Sequence, residues 1–313
     1  MPDGFVWADY VDWLVESAGS LAAVADRLCA HRGYKDDVGS VERALRRLRR
    51  RGSAGGGTWG TRALALFGLP GDVMERVRWL AQYHARATDL PLSVSADLLR
   101  AWSAPPITES ARGRAWLALG QASLALRRQE RPAAIEQLDR GRADIAAAEP
   151  AARLEAIFMR AFVASRDAVD EVAPLLAQVP ALLQDVVDPE DRACLHARLV
   201  DHQSYELNRA GRHAEAEALY REIPDDAPPF ALARRASGLA YARWKQGAPG
   251  EAAEQARLAA EHAGDGGHVR ARAMALALLD KIAGDPAARA RSQAISRRLE
   301  DGRWLRLVSS IAN

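Results

Sequence analysis

The sequence predicts an all-α protein in two parts. Apolar residues recur at helical spacing along nearly the whole chain of 313 residues, and the strict alternation that marks strands is scarce. Capping residues precede many of these stretches, and glycine follows many of them. The length and the change in pattern predict a small helical domain over residues 1–70 and a longer run of helix hairpins over residues 71–313.

The first two helices are predicted from apolar residues at positions i, i+3, i+4 and i+7. The first helix should end near Gly19, and its apolar set is Trp7, Tyr10, Val11 and Leu14. Ser20 is placed to cap the second helix, which should end near Gly33. The apolar set of the second helix is Leu21, Val24, Ala25 and Leu28.

The third helix carries two opposed stripes and is the most distinctive feature of the chain. Ser40 is a good N-cap for it and Gly52 a good stop. Its apolar stripe is Val41, Ala44, Leu45 and Leu48, and the opposite stripe is Arg43, Arg46, Arg47 and Arg50. Residues 39–62 hold seven arginines and one acid, whereas the whole chain carries a net charge of only +2. This local excess indicates either a contact with a polyanion or a solvated helix face.

A glycine-rich stretch from Gly52 to Thr58 follows this helix and is expected to be the most flexible part of the chain. Residues 59–67 are predicted either as a strand pair that closes a wing or as another helix. Trp59 is more typical of a packing residue than of a stacking residue.

The order of these elements resembles the helix-turn-helix family in its winged form. The residues that carry the resemblance are Leu21–Ala25 with Leu28 for the supporting helix and Val41–Arg51 for the recognition helix. The stretch from Arg32 to Gly39 is longer than the tight three- or four-residue turn of that motif. Winged variants tolerate such a link, and unrelated three-helix bundles also allow it.

The resemblance implies that the third helix contacts double-stranded DNA. Arginine forms bidentate contacts with guanine and with phosphate. The expected nucleic-acid contacts are Arg43, Arg46, Arg47 and Arg50 on the helix, Arg49 and Arg51 on its flanks, and Arg62 from a wing.

Beyond Gly71 the pattern changes to helix hairpins. The predicted helices span residues 72–87, 93–102, 108–128, 132–148, 151–165 and 167–186. Asp188 can cap the next helix, with Pro189 at its first position. Two more hairpins flank the loop 223–229, and the last hairpin runs from Val269 to about Leu299.

A repeat emerges when the later turns are aligned. Gly211 and Gly247 are 36 positions apart, and Gly247 and Gly284 are 37 apart. Glycine permits the left-handed turn between two helices, and a small residue at the crossing lets their backbones approach. Matching positions are Gly211, Ala216, Tyr220 and Pro228 in one unit, Leu239, Ala240, Gly247 and Ala252 in the next, and Leu276, Ala277 and Gly284 in a third. Ala122, Ala134 and Leu138 form a weaker earlier match.

This pattern resembles the tetratricopeptide repeat (TPR) family over residues 112 to 299, or from residue 72 if the earlier hairpins are counted. The resemblance implies a superhelix whose first helices line a groove for a peptide or protein partner. The expected groove residues are Arg198, Asp201, Tyr205, Asn208, Arg209, Arg234, Ser237, Tyr241, Trp244 and Lys245. Tyr205 and Tyr241 occupy equivalent positions and are expected to anchor a ligand with acidic or C-terminal carboxylate character. The alternative is that Tyr241 or Trp244 packs between helices.

Motifs of catalysis, metal binding or cofactor binding were not found, so the chain is expected to be a non-enzyme without a cofactor. The seven histidines are scattered, and the Gly55–Gly57 run lacks the flanking residues of a phosphate loop. Cys29 and Cys194 lie far apart and are expected to be small buried hydrophobes, which suits the cytoplasm. The chain has neither a secretory leader pattern nor an apolar run of membrane-spanning length.

Two main hypotheses of function follow. In the first, the protein is a cytoplasmic DNA-binding transcriptional regulator whose helical-repeat body binds a peptide or protein partner or forms a homodimer. In the second, it is a TPR protein–protein interaction scaffold without DNA binding, and the N-terminal helices are a docking cap. An RNA-binding or enzyme-regulating adaptor is a third possibility.

Overall fold

A computed structural model describes residues 4–31, 36–86 and 89–300, and these residues form helices and no strands. The all-α prediction is therefore confirmed. The chain divides into two compact units. The first comprises residues 1–81, 96–121 and 140–148, and the second comprises residues 82–95, 122–139 and 149–313. The predicted domain boundary at residue 70 stays a prediction.

The first unit begins with five helices in close succession. They are α1 (Trp7–Ala18), α2 (Leu21–Ala30), α3 (Val38–Arg49), α4 (Gly57–Phe67) and α5 (Gly71–Ala81). As predicted, Gly19 ends α1 with a φ of 86°, and the Ser20 side chain caps α2 by accepting a hydrogen bond from the Ala23 amide. The predicted end of α2 at Gly33 lies outside the described residues.

The core of the first unit contains the apolar sets predicted for α1, α2 and α3. Trp7, Tyr10, Val24, Leu28 and Leu45 are among its fully buried side chains. Burial of one such side chain stabilises the fold by about 1.5–3 kcal/mol. Together they fix the orientation of α3, whose opposite face is left to solvent.

The glycine-rich stretch packs on the Trp7 indole, and its predicted flexibility stays a prediction. The indole nitrogen donates a hydrogen bond of 2.9 Å to the Ala54 carbonyl. A Cβ atom at Gly56 would lie 2.2 Å from a ring carbon of Trp7, and one at Gly60 would lie 2.7 Å from the ring. Glycine is needed here because only a bare backbone can approach the ring so closely.

Residues 59–67 belong to α4, so the strand-pair alternative is wrong and the helix alternative is confirmed. Trp59 and Phe67 pack against the core of the first unit. Trp59 is thus a packing residue, as expected. Because α4 stands where a wing was one alternative, Arg62 lies on a helix, and its role as a nucleic-acid contact stays a prediction.

Five further helices span the middle of the chain: α6 (Leu92–Trp102), α7 (Ala111–Arg127), α8 (Arg131–Arg140), α9 (Arg142–Ala146) and α10 (Pro150–Asp167). The prediction of one helix over 132–148 was wrong, because α8 ends at Arg140 and α9 begins at Arg142, with Gly141 as its N-cap. The prediction of a single helix over residues 167–186 was wrong too. That region contains a 3₁₀ turn, α11 (Val172–Leu176) and α12 (Val179–Gln184). Pro174 and Pro180 lie in the first turns of these two helices, where a missing N–H costs least.

The second unit ends in three helix hairpins. Their helices are α13 (Pro189–Arg209) with α14 (His213–Arg221), α15 (Pro229–Lys245) with α16 (Pro249–Asp265), and α17 (Val269–Ala283) with α18 (Pro286–Arg298). Each helix packs on the next in chain order, and the first helices α10, α13, α15 and α17 also contact one another in succession. The Asp188 cap is confirmed, since its side chain accepts a hydrogen bond from the Asp191 amide.

The predicted turn glycines and close crossings of these hairpins are present. Gly211, Gly247 and Gly284 have φ values of 74°, 83° and 65°, as left-handed turns require. A Cβ atom at Gly238 would lie 2.1 Å from the Tyr220 ring, and buried alanines dominate the contacts among α15, α16 and α17. The arrangement is compatible with a helical-repeat fold.

Candidate functional site: an exposed arginine face and a buried arginine ladder

Helix α3 is held in place by its caps and its core. Its N-cap is Asp37, not Ser40 as predicted, because the Asp37 carboxylate accepts the Ser40 amide at 3.1 Å. The Ser40 hydroxyl also donates a hydrogen bond to Asp37, and this bond lowers the pKa of the Asp37 carboxyl. The helix ends at Arg49, and Gly52 follows with a φ of 58°. Arginines in the last turn suit the negative end of the helix dipole.

The exposed arginine face consists of Arg43, Arg46, Arg47, Arg49, Arg50 and Arg51, all solvent-exposed. Two of its members are already paired with carboxylates. Arg46 lies 2.6 Å from Glu42, and Arg49 lies 2.8 Å from Asp12. Both arginine side chains remain more than half exposed, so these pairs contribute little to stability and compete only weakly with another anion.

Of the remaining members, Arg43 interacts electrostatically with the Asp37 carboxylate, and the other three form no ion pair among the described residues. Arg43 donates to the Ser40 hydroxyl at 2.8 Å, and Arg51 donates to the Gly55 carbonyl. Arg47 and Arg50 form no ion pair within the described part of the chain. Because Val41, Leu45 and Leu48 are buried beneath them, these guanidinium groups point away from the core.

Arg62 lies apart from this face. It belongs to α4, forms an ion pair of 2.9 Å with Asp36 and lies 4.7 Å above the Trp59 ring. Its side chain is one-quarter exposed. These contacts fix α4 and leave Arg62 less accessible to a ligand than the arginines of α3.

The second unit contains another set of arginines, arranged in a periodic row. Arg198 on α13, Arg234 on α15 and Arg270 on α17 follow one another at intervals of 36 residues. Arg198 and Arg234 each lie 13 residues before the turn glycine of their hairpin, whereas Arg270 lies 14 residues before Gly284, one residue out of register. We refer to these three residues as the arginine ladder. Arg270 was missed by the sequence prediction, although the spacing that relates Tyr205 to Tyr241 would have identified it. All three side chains are at most 15 % exposed.

Each arginine of the ladder has an acidic partner. Arg198 lies 2.6 Å from Glu155, whose side chain is fully buried on α10. Arg234 pairs with Asp201, and Arg270 lies 2.8 Å from Asp89. Burial lowers the pKa of Arg234, because removing a guanidinium from water disfavours its charged form.

Part of this surface is covered by the chain's own segment 82–91. The guanidinium carbons of Arg198 and Arg270 lie 5.0 Å and 5.5 Å from the centroid of the Tyr83 ring. The Tyr83 amide donates to Glu155 at 3.2 Å. This contact explains why α5 ends at Ala81 and not at residue 87 as predicted: the Tyr83 amide bonds to Glu155 instead of to a helix carbonyl.

Three histidines lie near the ladder, and burial favours the neutral form of two of them, His202 and His268. His202 stacks on Phe158 at 5.4 Å, and burial, followed by the nearby Arg198, lowers the pKa of His202 to about 3. Burial also lowers the pKa of His268, which contacts Phe230. His84 Nε2 lies 3.0 Å from Asp191.

Other predicted groove residues also have partners within the chain. Asp201 accepts the Tyr220 hydroxyl at 2.9 Å. Asn208 contacts His213 at 2.9 Å, and Arg209 donates to the Ser165 carbonyl at 3.0 Å. Their polar groups therefore contribute to the packing between helices.

Aromatic and cationic side chains remain accessible toward the C-terminal ends of α13, α15 and α17. The Tyr205 side chain is exposed, and Tyr241 and Trp244 are half-buried. Lys245 Nζ lies 4.5 Å from the Trp244 ring, and Lys281 Nζ lies 5.2 Å from it. We call these five residues the aromatic–cation surface. Aromatic rings flanked by cations are typical anchors of protein interfaces.

The two cysteines differ in environment. Cys194 is buried, as predicted, and burial raises the pKa of its thiol to about 12. Cys29 is only half-buried, and its thiol donates to the Asp36 carbonyl at 3.2 Å.

In the described ranges no cluster of three His, Cys, Asp or Glu side chains has the geometry of a metal site. No helix of the described residues has the length and apolar character needed to cross a bilayer.

Comparison of the chain with models of protein families, with curated proteins and with solved structures finds no match. The TPR and helix-turn-helix resemblances therefore have only the residues described above as support.

Proposed function

We propose that this protein is a DNA-binding transcriptional regulator whose helical-repeat body binds a peptide or protein partner. One observation carries the first part of the proposal. Arg47 and Arg50 project from a helix with a buried apolar side and form no ion pair with a described carboxylate, and the exposed Arg43 beside them interacts only with the Asp37 cap and Ser40. A rigid row of guanidinium groups suits a phosphate backbone, because each planar fork binds two phosphate oxygens.

The position of the arginines along α3 favours phosphate contacts over base reading. Recognition helices usually present their N-terminal residues to base edges. In α3 the N-terminal turn holds Val38, Gly39 and Ser40, and the arginines begin at Arg43. We therefore infer that α3 supplies affinity and register on duplex DNA more than sequence preference.

The second part of the proposal is supported by the aromatic–cation surface. Tyr205 and Tyr241 are equivalent residues of adjacent hairpins, and Trp244 stands beside two lysines. Such a surface suits a peptide with apolar and acidic side chains. Formation of a homodimer through the helical-repeat body is the alternative.

Binding of the full-length protein to a labelled random duplex, followed by fluorescence anisotropy at several salt concentrations, tests DNA binding. The wild type should bind with an affinity that falls steeply with salt, by a slope of about −0.9 for each phosphate contact. Arg47→Glu with Arg50→Glu should abolish binding at moderate salt. The matched control is Arg257→Glu with Arg297→Glu, which changes the charge equally at exposed helical arginines of the second unit.

The scaffold without DNA binding is a second candidate, favoured by two observations. The region expected to form a wing is the helix α4, and Arg46 and Arg49 are paired with acids. If the wild type does not bind duplex at low salt, the regulator proposal fails. The scaffold reading then predicts that Tyr205→Ala or Tyr241→Ala removes partner binding.

A further inference from the structure

A cavity of about 320 Å³ lies among α16, α17 and α18 in the second unit. It is lined by the C-terminal end of α16, the first turn of α17 and the second half of α18. The lining residues of α18 are spaced i, i+3, i+4 and i+7 and therefore share one face: Arg291, Ala294, Ile295 and Arg298. Two cations thus stand at the ends of an apolar stretch. The volume is within the range of about 300–1,000 Å³ that is typical of small-molecule sites.

The charged side chains that line this cavity are all arginines among the described residues: Arg272, Arg291 and Arg298. None of the three forms an ion pair or a side-chain hydrogen bond with another described residue. Glu300, the acid nearest to Arg298 in the sequence, is bonded instead to the Ser93 amide and hydroxyl, at 2.9 Å each. A cavity lined by charges of one sign raises the local concentration of the opposite ion. The cavity is therefore prepared for an anion.

Arg272 is the least exposed of these three arginines. Its Nε is buried and has no hydrogen-bond partner. Five other described arginines also have a buried Nε without a partner, but each of them uses its terminal nitrogens for an ion pair or a hydrogen bond. The guanidinium of Arg272 lies instead against the bare backbone of Gly264, where an added Cβ would be 3.4 Å from the guanidinium carbon. A partly buried charge without a counter-ion is costly, and a bound anion would offset that cost.

The charge and the walls of the cavity together select the class of ligand. A guanidinium fork binds two oxygens of a phosphate, and a phosphate monoester carries up to two negative charges at neutral pH, against one for a carboxylate. Apolar surface comes from Val269, which is 37 % exposed, and from Ala294 and Ile295. The volume admits a small molecule and is too small for a nucleic-acid duplex. A small phosphate ester with an apolar part matches each of these features.

We propose that this cavity is a binding site for a small phosphate monoester. Arg272 and the two arginines of α18 hold its phosphate, and Val269 and Ile295 contact its apolar part. The lining residues belong neither to the exposed arginine face nor to the aromatic–cation surface. The site therefore goes beyond the proposed function and does not depend on it.

Phenyl phosphate is the probe for this site, titrated into the full-length protein by isothermal calorimetry at neutral pH and constant ionic strength. The wild type should bind it with a dissociation constant below about 1 mM and about tenfold more tightly than inorganic phosphate, because the ring buries apolar surface. Arg272→Gln should weaken the binding at least about tenfold. The matched control is Arg257→Gln with Arg297→Gln, which removes exposed arginines of α16 and α18 outside the lining and should keep the wild-type affinity.

A second variant distinguishes a cavity from diffuse surface charge. Ala294→Leu adds apolar volume to the lining without changing any charge, so it should weaken the binding of phenyl phosphate about tenfold. Circular dichroism checks that each variant is folded. If Arg272→Gln does not fold, the exposed pair Arg291→Gln with Arg298→Gln takes its place, and the same loss of affinity is expected.

Several results would overturn the proposal. One is the lack of saturable binding of phenyl phosphate to the folded wild type, and another is an equal loss of affinity in the Arg272→Gln variant and the control. Tighter binding of phthalate than of phenyl phosphate would show that the site takes dicarboxylates. Much tighter binding of a phosphotyrosine peptide would make the cavity a docking site for a phosphorylated protein.

The result can be separated from the proposed function. The variant Arg47→Glu with Arg50→Glu should bind phenyl phosphate as tightly as the wild type does, because neither residue lines the cavity. Failure of the phenyl phosphate test would remove only this site. Failure of duplex binding would leave it in place.

Discussion

The two sets of arginines in this protein show how environment decides what the same side chain does. On α3 the guanidinium groups lie in water, and the two that have acidic partners keep most of their exposure. In the ladder of the second unit every arginine is nearly buried and faces a carboxylate. An exposed pair contributes about 0–1 kcal/mol, whereas a buried charge that loses its partner costs about 3–5 kcal/mol. The exposed set is thus available for binding, and the buried set is tied to the stability of its unit.

Removal of a carboxylate from the buried set should have the largest effect. Glu155→Ala leaves the buried Arg198 guanidinium without its partner, because Glu155 is fully buried at 2.6 Å from it. The free energy of unfolding should fall by about 3–5 kcal/mol. Urea denaturation monitored by circular dichroism measures this change. A loss below about 1 kcal/mol would show that the two sets do not differ as described.

The exposed face depends on the rigid core beneath α3, and a glycine substitution tests that core. Gly56→Ala places a methyl group 2.2 Å from the Trp7 ring, so the indole must move, at a cost of about 1–3 kcal/mol. Gly71→Ala is the matched control, because nothing lies within 4 Å of its added Cβ. Thermal unfolding should show a clear decrease for the first variant and almost none for the second. Equal melting temperatures would contradict the anchoring of the loop.

Acidification should destabilise the neighbourhood of the ladder. The pKa of His202 is about 3 in the folded state, below the ordinary 6.5, so the unfolded state binds more protons between these values. Stability should therefore be full above pH 6.5 and should fall as the pH decreases toward 3. From pH 7 to pH 5 the loss should be about 2 kcal/mol. His202→Asn should flatten this dependence in urea titrations, and an unchanged slope would argue against a neutral buried His202.

The smallest effect on stability is expected on the exposed face. Glu42→Ala removes the partner of Arg46, which is 58 % exposed, and should change the free energy of unfolding by less than about 0.5 kcal/mol. The same variant leaves Arg46 without its acidic partner, so its affinity for duplex DNA should rise a few-fold. Denaturation and anisotropy on one preparation measure both quantities. A large loss of stability would show that the Arg46–Glu42 pair contributes as much to stability as the buried pairs of the ladder.

Much of the fold is readable from the sequence because it depends on local patterns. The spacing of Trp7, Tyr10, Val11 and Leu14 predicted the buried side of α1, and the stripes of α3 predicted which of its faces is exposed. The glycines 211, 247 and 284 predicted the left-handed turns of the hairpins. The ends of helices were less predictable, because Asp37 and Ser40 are both good caps and only their hydrogen bonds decide between them.

The sequence by itself thus determined most of the helices, the apolar faces of the N-terminal helices and the turn glycines of the last hairpins, since each follows from the periodicity of the helix and the conformational freedom of glycine. Only the tertiary structure decided the rest: the docking of the glycine-rich stretch on Trp7, the acidic partners of each arginine, and the placement of Tyr83 and Asp89 on the ladder. These depend on residues far apart in the chain. A partner such as Asp89 for Arg270, 181 positions away, has no local pattern to reveal it.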